Sequence, residues 1–286
     1  MPEITQVGAQ AGPWVRQMLY AFPGWRKTSF IGTFPEAGFK TLLIRSPMDQ
    51  IPARILKSGV EEVVVSTWED MTGGDGIEDF LRMSDHGYDW VWIDCWSIMQ
   101  DVLLDDIWEA TIAEKPHRNN LTPTGGRDRG EYGRNMERIQ QFVRHIVGAN
   151  SFHVGMTAHP IEDAHPTNDE GGSLLVPYIQ GKNMTAKLCG YCNIVAFQEI
   201  KEKDDETWAR MHFRENARFY AKDLYDAFDK GFLDNPTAKK FMDAIEAAKK
   251  AQGITKTKQP QRRGSRRGAA ARPQAAGRRR KGAARG

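Results

Sequence analysis

The sequence is poor in cysteine, with three in 286 residues, and it has no long apolar run. Three cysteines are too few for a disulfide scaffold. No stretch approaches the roughly 18 consecutive apolar residues that a membrane-spanning helix needs. The first five residues, Met1–Thr5, lack the basic and apolar segments of a secretory signal. These absences predict a cytoplasmic protein with no membrane partner.

Aromatic and acidic residues are absent from the C-terminal segment. From Lys256 to the C-terminus there are twelve basic residues and no acidic one, whereas residues 1–255 hold 28 basic and 37 acidic residues. The net charge of +3 therefore conceals an acidic body and a strongly basic tail. Because the tail is also rich in Gly and Ala, it cannot bury enough apolar area to offset the entropy of ordering. We predict a folded domain over residues 1–252 and a disordered tail over residues 253–286.

A dense array of arginines gains free energy on any polyphosphate by releasing counterions. The tail is therefore predicted to contact nucleic acid without reading its sequence, since phosphate contacts carry no base information. The alternative is a solubilising tail with no fixed partner. The candidate nucleic-acid residues of the tail are Arg262, Arg263, Arg266, Arg267, Arg278, Arg279 and Arg280.

Apolar residues make up 40% of the chain, enough for a sizeable core. Short apolar runs alternate with segments of helical periodicity, which predicts βαβ units around a mostly parallel sheet. The predicted strands of that sheet are 15–20, 40–44, 62–65, 88–93 and 152–156, and the predicted helices are 77–83, 98–113, 136–147 and 237–250. Segments 193–200 and 207–213 are predicted to form an antiparallel pair around a polar turn at 201–206.

The segment after the first predicted strand is a candidate phosphate-binding loop. It matches the pattern G-x-x-x-x-G-K-[ST] at Lys27 and Thr28, but Ala21 and Arg26 occupy the two glycine positions. In that pattern the lysine reaches the β and γ phosphates and the hydroxyl binds Mg²⁺. A plain helix start is the alternative. The candidate ligand-binding residues are Pro23, Gly24, Trp25, Arg26, Lys27, Thr28 and Ser29.

Asp94 closes the apolar run from Trp90 to Ile93, where a second contact to Mg²⁺ belongs in this fold class. The carboxyl edge of a parallel sheet is also where ligands bind. A helix N-cap is the alternative role for Asp94.

The order of these motifs resembles that of phage-encoded RecA-like P-loop NTPases, which include single-strand-annealing recombinases. The likeness covers residues 15–250 and depends on the following segments in order: Lys27-Thr28, Trp68–Asp70, Tyr88–Asp94, Gly155–His159, Pro177–Lys182, Lys222-Asp223 and Asn235–Thr237. It implies an α/β RecA-like core that binds ATP, with Thr28 at Mg²⁺, Asp94 at Mg²⁺ through water, and His159 sensing the γ-phosphate. A loop histidine before Pro160 is the alternative role for His159. The resemblance also implies single-stranded DNA as a partner, assembly of several copies and the host cytoplasm as location.

Two features depart from the pattern of the family. The loop lacks both glycines, and a side chain at Arg26 blocks the loop unless its backbone takes an uncommon conformation. The family places a water-orienting acid directly after the second strand, whereas here that stretch is Arg45–Met48 and the nearest acid is Asp49. We therefore expect weakened nucleotide binding and slow or absent hydrolysis. A non-catalytic P-loop scaffold or structural DNA-binding protein is the alternative function.

Two further groups are candidates for function. Arg127, Arg129 and Arg134 form a basic segment that the resemblance places toward DNA or a neighbouring subunit, and a solvated loop is the alternative. Cys189 and Cys192 form a C-x-x-C pair. Zinc needs four ligands and no second pair exists, so a structural role is expected for them.

Overall fold

The computed structural model describes residues 14–83, 86–115, 129–149, 151–164, 173–181 and 183–254. Its strands are β1 (Arg16–Tyr20), β2 (Thr41–Arg45), β3 (Glu61–Val64), β4 (Trp90–Asp94), β5 (His153–Ala158), β6 (Pro160–Ala164), β7 (Ser173–Pro177), β8 (Ile194–Lys203), β9 (Glu206–His212), β10 (Lys222–Asp223) and β11 (Phe232–Asp234). Its α-helices are α1 (Lys27–Ile31), α2 (Ala53–Leu56), α3 (Trp68–Thr72), α4 (Ile77–Arg82), α5 (Trp96–Glu114), α6 (Arg129–Gly148), α7 (Met184–Tyr191) and α8 (Ala238–Ala251).

Nine strands form one sheet in the order β11-β9-β8-β1-β5-β4-β2-β3, with β10 beside β8. The six strands from β8 to β3 are parallel, and β9, β10 and β11 are antiparallel to their neighbours. The predicted α/β class with a mostly parallel sheet is confirmed. A separate hairpin of β6 and β7 follows β5 directly and was not predicted.

The sheet is covered on both faces, which is why its central strands are continuous apolar runs. Alternate residues of β4 enter different clusters: Val91 and Ile93 pack with α5 and α6, while Trp90 and Trp92 pack with α1 and α8. Gly155 of β5 has no room for a side chain, because a Cβ there would lie much closer to the Trp92 ring than van der Waals contact allows.

The antiparallel strands β8 and β9 are longer than predicted, because the polar segment 201–206 was expected to be a turn. β8 and β9 extend through the segment predicted as a turn, and only Asp204 and Asp205 connect them, both at positive φ. Two such residues form the tight hairpin turn that matches the twist of the strands. No helix of the described residues is long and apolar enough to cross a membrane.

Candidate functional site

Strand order brings three chain segments together at the carboxyl edge of the sheet. β5 lies between β1 and β4, so Tyr20 pairs with Ala158, and Ile93 pairs with Met156. The loop that follows β1, the carboxylate that ends β4 and the histidine that follows β5 therefore lie side by side. These segments carry Lys27, Asp94 and His159, three of the residues that the sequence predicts for a nucleotide site.

The loop after β1 adopts a backbone conformation that favours glycine, although the two glycine positions of the pattern hold Ala21 and Arg26. Arg26 has φ 63° and ψ 21°, the left-handed conformation that glycine adopts at no steric cost, and Gly24 has φ 80°. For a residue with a Cβ this conformation costs roughly 1–2 kcal/mol. Ala21 is buried, and its N–H donates to the carbonyl of Ala158 at 3.2 Å. The backbone thus supplies at Arg26 the uncommon geometry that the sequence left open.

Lys27 is a buried cation without a carboxylate partner. It is 7% exposed, and its Nζ donates to the carbonyl oxygens of Ala21 at 2.8 Å and Phe22 at 3.4 Å. No carboxylate among the described residues lies within ion-pair distance of it. Burial lowers the pKa of this ammonium, and the nearby Cys95, Asp94 and Asp49 oppose that shift. A buried ammonium held only by carbonyls suits an anionic ligand such as a phosphate.

Asp94 joins the loop to β5 through two hydroxyl groups. Thr28 Oγ1 donates to Asp94 Oδ2 at 2.6 Å, and Thr157 Oγ1 donates to Asp94 Oδ1. The carboxylate is buried, and the N-cap residue of α5 is Cys95, with no side-chain cap. The alternative N-cap role for Asp94 is therefore wrong. Hydroxyl and carboxylate oxygens are the ligands that Mg²⁺ takes from proteins, so this pair fits the ion.

Asp49 also reaches this edge, although it stands four residues beyond β2. Its Oδ2 accepts the backbone N–H of Cys95 at 3.2 Å and that of Ser46 at 3.3 Å. Burial, and then the charge of Asp94, raises the pKa of Asp49 to about 7. The acid that the sequence lacks directly after β2 is thus supplied within the same site by a turn of the chain. Its catalytic role stays a prediction.

His159 lies between β5 and β6, half-buried beside the same groups. Its Nε2 is 3.8 Å from Cys95 Sγ, and its backbone N–H donates to Ser97 Oγ at 2.8 Å. Burial and the charge of Lys27 lower the pKa of His159, while Asp94 raises it. At neutral pH the ring is therefore expected to be neutral, able to donate one hydrogen bond to a phosphate oxygen.

Trp25, one of the candidate ligand-binding residues, is half-buried. Its ring centroid lies 4.9 Å from that of Phe22 and 6.1 Å from that of Phe197. Pro23 and Gly24 are exposed at the tip of the loop, and Ser29 lines a small cavity beside it. The structure thus keeps the ring of Trp25 close to β8, where it braces the loop.

The candidate nucleic-acid residues are only partly described. Arg129 and Arg134 lie in α6, where Arg134 Nη2 donates to Thr111 Oγ1 at 2.8 Å and to Glu131 Oε1 at 3.3 Å. These contacts give Arg134 a role within the fold, and DNA contact by either arginine stays a prediction. Arg127 and the seven candidate arginines of the tail lie outside the described residues.

Cys189 and Cys192 stand at the end of α7 and are buried as free thiols. Burial raises the pKa of Cys189 to about 12 and also raises that of Cys192, so neither is a reactive thiolate. Among the described residues no three His, Cys, Asp or Glu side chains form a group that could hold a metal. The structural role expected for the pair stays a prediction.

Two side chains of the site were not predicted. Thr157 stands near the carboxyl end of β5 and reaches Asp94 because β5 pairs with β4, which the sequence alone does not show. Gln198 donates from Nε2 to the carbonyl of Trp25 and is fully buried, and no sequence signal marks it.

A mostly parallel sheet of this order, with the candidate phosphate loop after β1 and an acid at the end of β4, has the RecA-like P-loop fold. A family model described as an AAA domain matches residues 15–225, so the chain belongs to that family. Strands β1 to β10, helices α1 to α7 and the candidate site residues from Pro23 to Gln198 lie within the matched range, whereas β11 and α8 lie beyond it.

No curated protein sequence matches the chain. Among solved structures, a KaiC-like protein of the hyperthermophilic archaeon Pyrococcus horikoshii OT3 matches at 13% identity and a TM-score of 0.36. The match covers 70% of this chain and 79% of that one. At this TM-score the likeness adds nothing to what the strand order shows.

Proposed function

We propose that this chain binds Mg²⁺–ATP at the carboxyl edge of its sheet and acts on single-stranded DNA, in phage recombination or replication, with slow ATP turnover. The observation that carries the nucleotide site is the hydrogen bond of 2.6 Å between Thr28 and Asp94, with buried Lys27 beside it. A hydroxyl, a carboxylate and an ammonium that no described carboxylate pairs with are the groups that a magnesium triphosphate requires.

Each residue then has a defined task. Lys27 would neutralise the β and γ phosphate oxygens, exchanging its bonds to Ala21 and Phe22 for bonds to the ligand. Thr28 and Asp94 would hold Mg²⁺, which supplies charge neutralisation to the phosphates when bound. Thr157 would keep the carboxylate of Asp94 in place. Asp49 would orient the attacking water, and His159 would donate to the γ-phosphate.

Slow turnover follows from how Asp49 is held. It stands four residues beyond β2 rather than directly after it, and its Oδ2 is held by two backbone N–H groups, which restricts how the carboxylate can turn to orient a water. The test is steady-state phosphate release with and without single-stranded DNA. Turnover well below about 1 s⁻¹, the low end of the usual range, is expected. Faster turnover that is lost in Lys27→Ala would contradict the slow-enzyme proposal.

The DNA part of the proposal is supported by the twelve positive charges of residues 256–286. Fluorescence anisotropy with a labelled oligo-dT would compare the full chain with a variant ending at Thr255 over a range of salt concentrations. Loss of the tail is expected to weaken binding and to flatten the salt dependence, because fewer counterions are released. An unchanged salt slope would contradict a role of the tail in binding DNA.

The same assay separates this proposal from a nucleotide-independent scaffold. If DNA binding and self-association require ATP, Lys27→Ala reduces both, whereas a scaffold retains both. Sedimentation of the protein with and without Mg²⁺–ATP reports the self-association. Lys230→Ala, which removes an exposed lysine in the segment before β11, is the control for loss of one positive charge.

A further inference from the structure

Ser97, the second residue of α5, is buried and joins that helix to two distant segments of the chain. Its Oγ accepts the backbone N–H of His159 at 2.8 Å and donates to the carbonyl of Tyr178 at 2.8 Å. The N–H of Tyr178 donates in turn to the carbonyl of His159 at 2.7 Å. Gln100, one turn further along the helix, accepts the N–H of Gln180 at 2.7 Å. One face of α5 therefore holds both the chain after β5 and the chain after β7.

The first turn of α5 is also attached to the two carboxylates of the candidate site. Asp94 ends β4 directly before the N-cap residue Cys95, and the N–H of Cys95 donates to Asp49 Oδ2 at 3.2 Å. The contact from Ser97 to His159 begins two residues later. Three candidate residues from three different strand ends are thus fixed to the start of one helix.

The imidazole ring of His159 has little else to hold it. Its Nε2 lies 3.8 Å from Cys95 Sγ, which is the only hydrogen-bond contact of the ring among the residues that the structure describes. That contact is weak, because a thiol is a poor donor and a poor acceptor. The placement of the ring therefore depends on its backbone. A shift of about 1 Å would lengthen a hydrogen bond from the ring to a ligand beyond the useful range.

We propose that Ser97 is a positioning residue of the candidate site, which holds the backbone of His159 so that the imidazole reaches the γ-phosphate of bound ATP. Ser97 contacts neither the nucleotide nor Mg²⁺ in this proposal and acts only through His159. Without the hydroxyl, the N–H of His159 and the carbonyl of Tyr178 each lose that partner, and the segment shifts to find others. This inference rests on the proposed Mg²⁺–ATP site at Lys27.

The experiment uses the difference between ATP and ADP, because only ATP carries the γ-phosphate. The full chain is titrated calorimetrically with Mg²⁺–ATP and with Mg²⁺–ADP. His159→Ala is expected to weaken ATP about tenfold, the contribution of one hydrogen bond to a charged group, and to leave ADP within twofold of wild type. Ser97→Ala is expected to weaken ATP about fivefold, also with ADP within twofold.

The double variant distinguishes positioning from general support of the fold. If Ser97 acts only through His159, Ser97→Ala has no further effect on ATP affinity once His159→Ala is present. The matched control is Thr111→Val, at a residue of α5 that is as buried as Ser97. Thr111 Oγ1 donates to the carbonyl of Ile107 and accepts from Arg134, each at 2.8 Å. Its loss is expected to change neither affinity.

A further variant covers the case in which Ser97→Ala does not fold. Ser97→Cys keeps a side chain of similar shape but replaces the hydroxyl with a weak donor and acceptor. It is expected to bind ATP with an affinity between those of wild type and His159→Ala, and to bind ADP like wild type.

The outcomes separate this inference from the proposed function. Equal weakening of ATP and ADP in the Ser97 variants, unchanged ATP binding in them, or additive losses in the double variant would overturn the positioning role and leave the phosphate site standing. ATP binding that is the same in wild type and His159→Ala would do so too. If wild type binds neither nucleotide, the phosphate site fails, and the role of Ser97 fails with it.

Discussion

Two histidines stand at opposite ends of β5, and their surroundings differ in kind. His153, at the amino end, is buried: its Nδ1 accepts the N–H of Val15 at 2.8 Å, and its ring stacks on Trp90 at 4.8 Å. His159, just past the carboxyl end, is half-buried between Cys95 and Lys27. The same residue type belongs to the core at one end and to the candidate site at the other, because only the carboxyl edge gathers loops around a ligand position.

The largest expected effect is on stability at the amino end. His153→Ala leaves the N–H of Val15 without an acceptor and opens a void beside Trp90, so we expect a loss of about 3 kcal/mol in the free energy of unfolding. His159→Ala is expected to cost under about 1 kcal/mol and to act on ATP turnover instead. Urea denaturation and phosphate release, measured on both variants, check this. A similar loss of stability in both variants would contradict the assignment of His153 to the core and His159 to the site.

Next comes a comparison of two buried threonines. Thr157→Val removes a hydroxyl that holds Asp94, and loss of such an outer contact lowers metal affinity roughly tenfold or more. Thr41→Val, at the amino end of β2, removes a hydroxyl that donates only to the carbonyl of Phe39. It is expected to leave Mg²⁺ affinity unchanged. The Mg²⁺ dependence of ATP binding tests both, and equal effects would show that Thr157 does not support the ion.

A smaller effect is expected from pH. Burial lowers the pKa of His153 to about 3 from its ordinary 6.5. Between these values the unfolded chain binds a proton that the folded chain does not, so this contribution to stability is complete above pH 6.5. It is lost as the pH falls toward 3, by at most about 1.4 kcal/mol per pH unit. Asp49 works in the opposite direction, because its raised pKa favours the folded state at low pH.

The difference between wild type and His153→Gln isolates the histidine from Asp49 and all other groups. Urea denaturation at several pH values between 5 and 7 would show a shallower loss of stability on acidification in the variant. Parallel curves for the two proteins would contradict a neutral, buried His153.

The smallest effect concerns the backbone at Arg26. Since that residue is in the left-handed conformation, Arg26→Gly should be more stable than Arg26→Ala by about 1 kcal/mol. Thermal denaturation of the two variants, without nucleotide, measures this difference. Equal stability would mean that the loop does not hold Arg26 at positive φ.

The parallel core could be predicted because its strands are continuous runs of β-branched and aromatic residues, as in β4. The hairpin of β6 and β7 could not, since Pro160–Ala164 carries a proline and two acids without clear alternation. Helix α7 is short and contains Gly190, so its periodicity is weak. These elements are set by tertiary packing rather than by local preference.

The candidate site divides in the same way. Lys27, Thr28 and Asp94 follow from a spaced pattern, and Asp49 from its place after β2. Thr157 and Gln198 depend on register, since β5 must lie beside β4 and β8 beside β1 before either reaches the site. The spacing of residues along the chain does not predict that register. The left-handed backbone of Arg26 likewise could not be inferred from an arginine.

The most direct test of the central claim is calorimetric titration of wild type and Lys27→Ala with Mg²⁺–ATP. If the buried ammonium of Lys27 binds the triphosphate, we expect micromolar binding by wild type and no detectable binding by Lys27→Ala. Lys230→Ala is expected to bind like wild type. Equal affinity in wild type and Lys27→Ala, or no binding by wild type, would contradict a phosphate site at this edge.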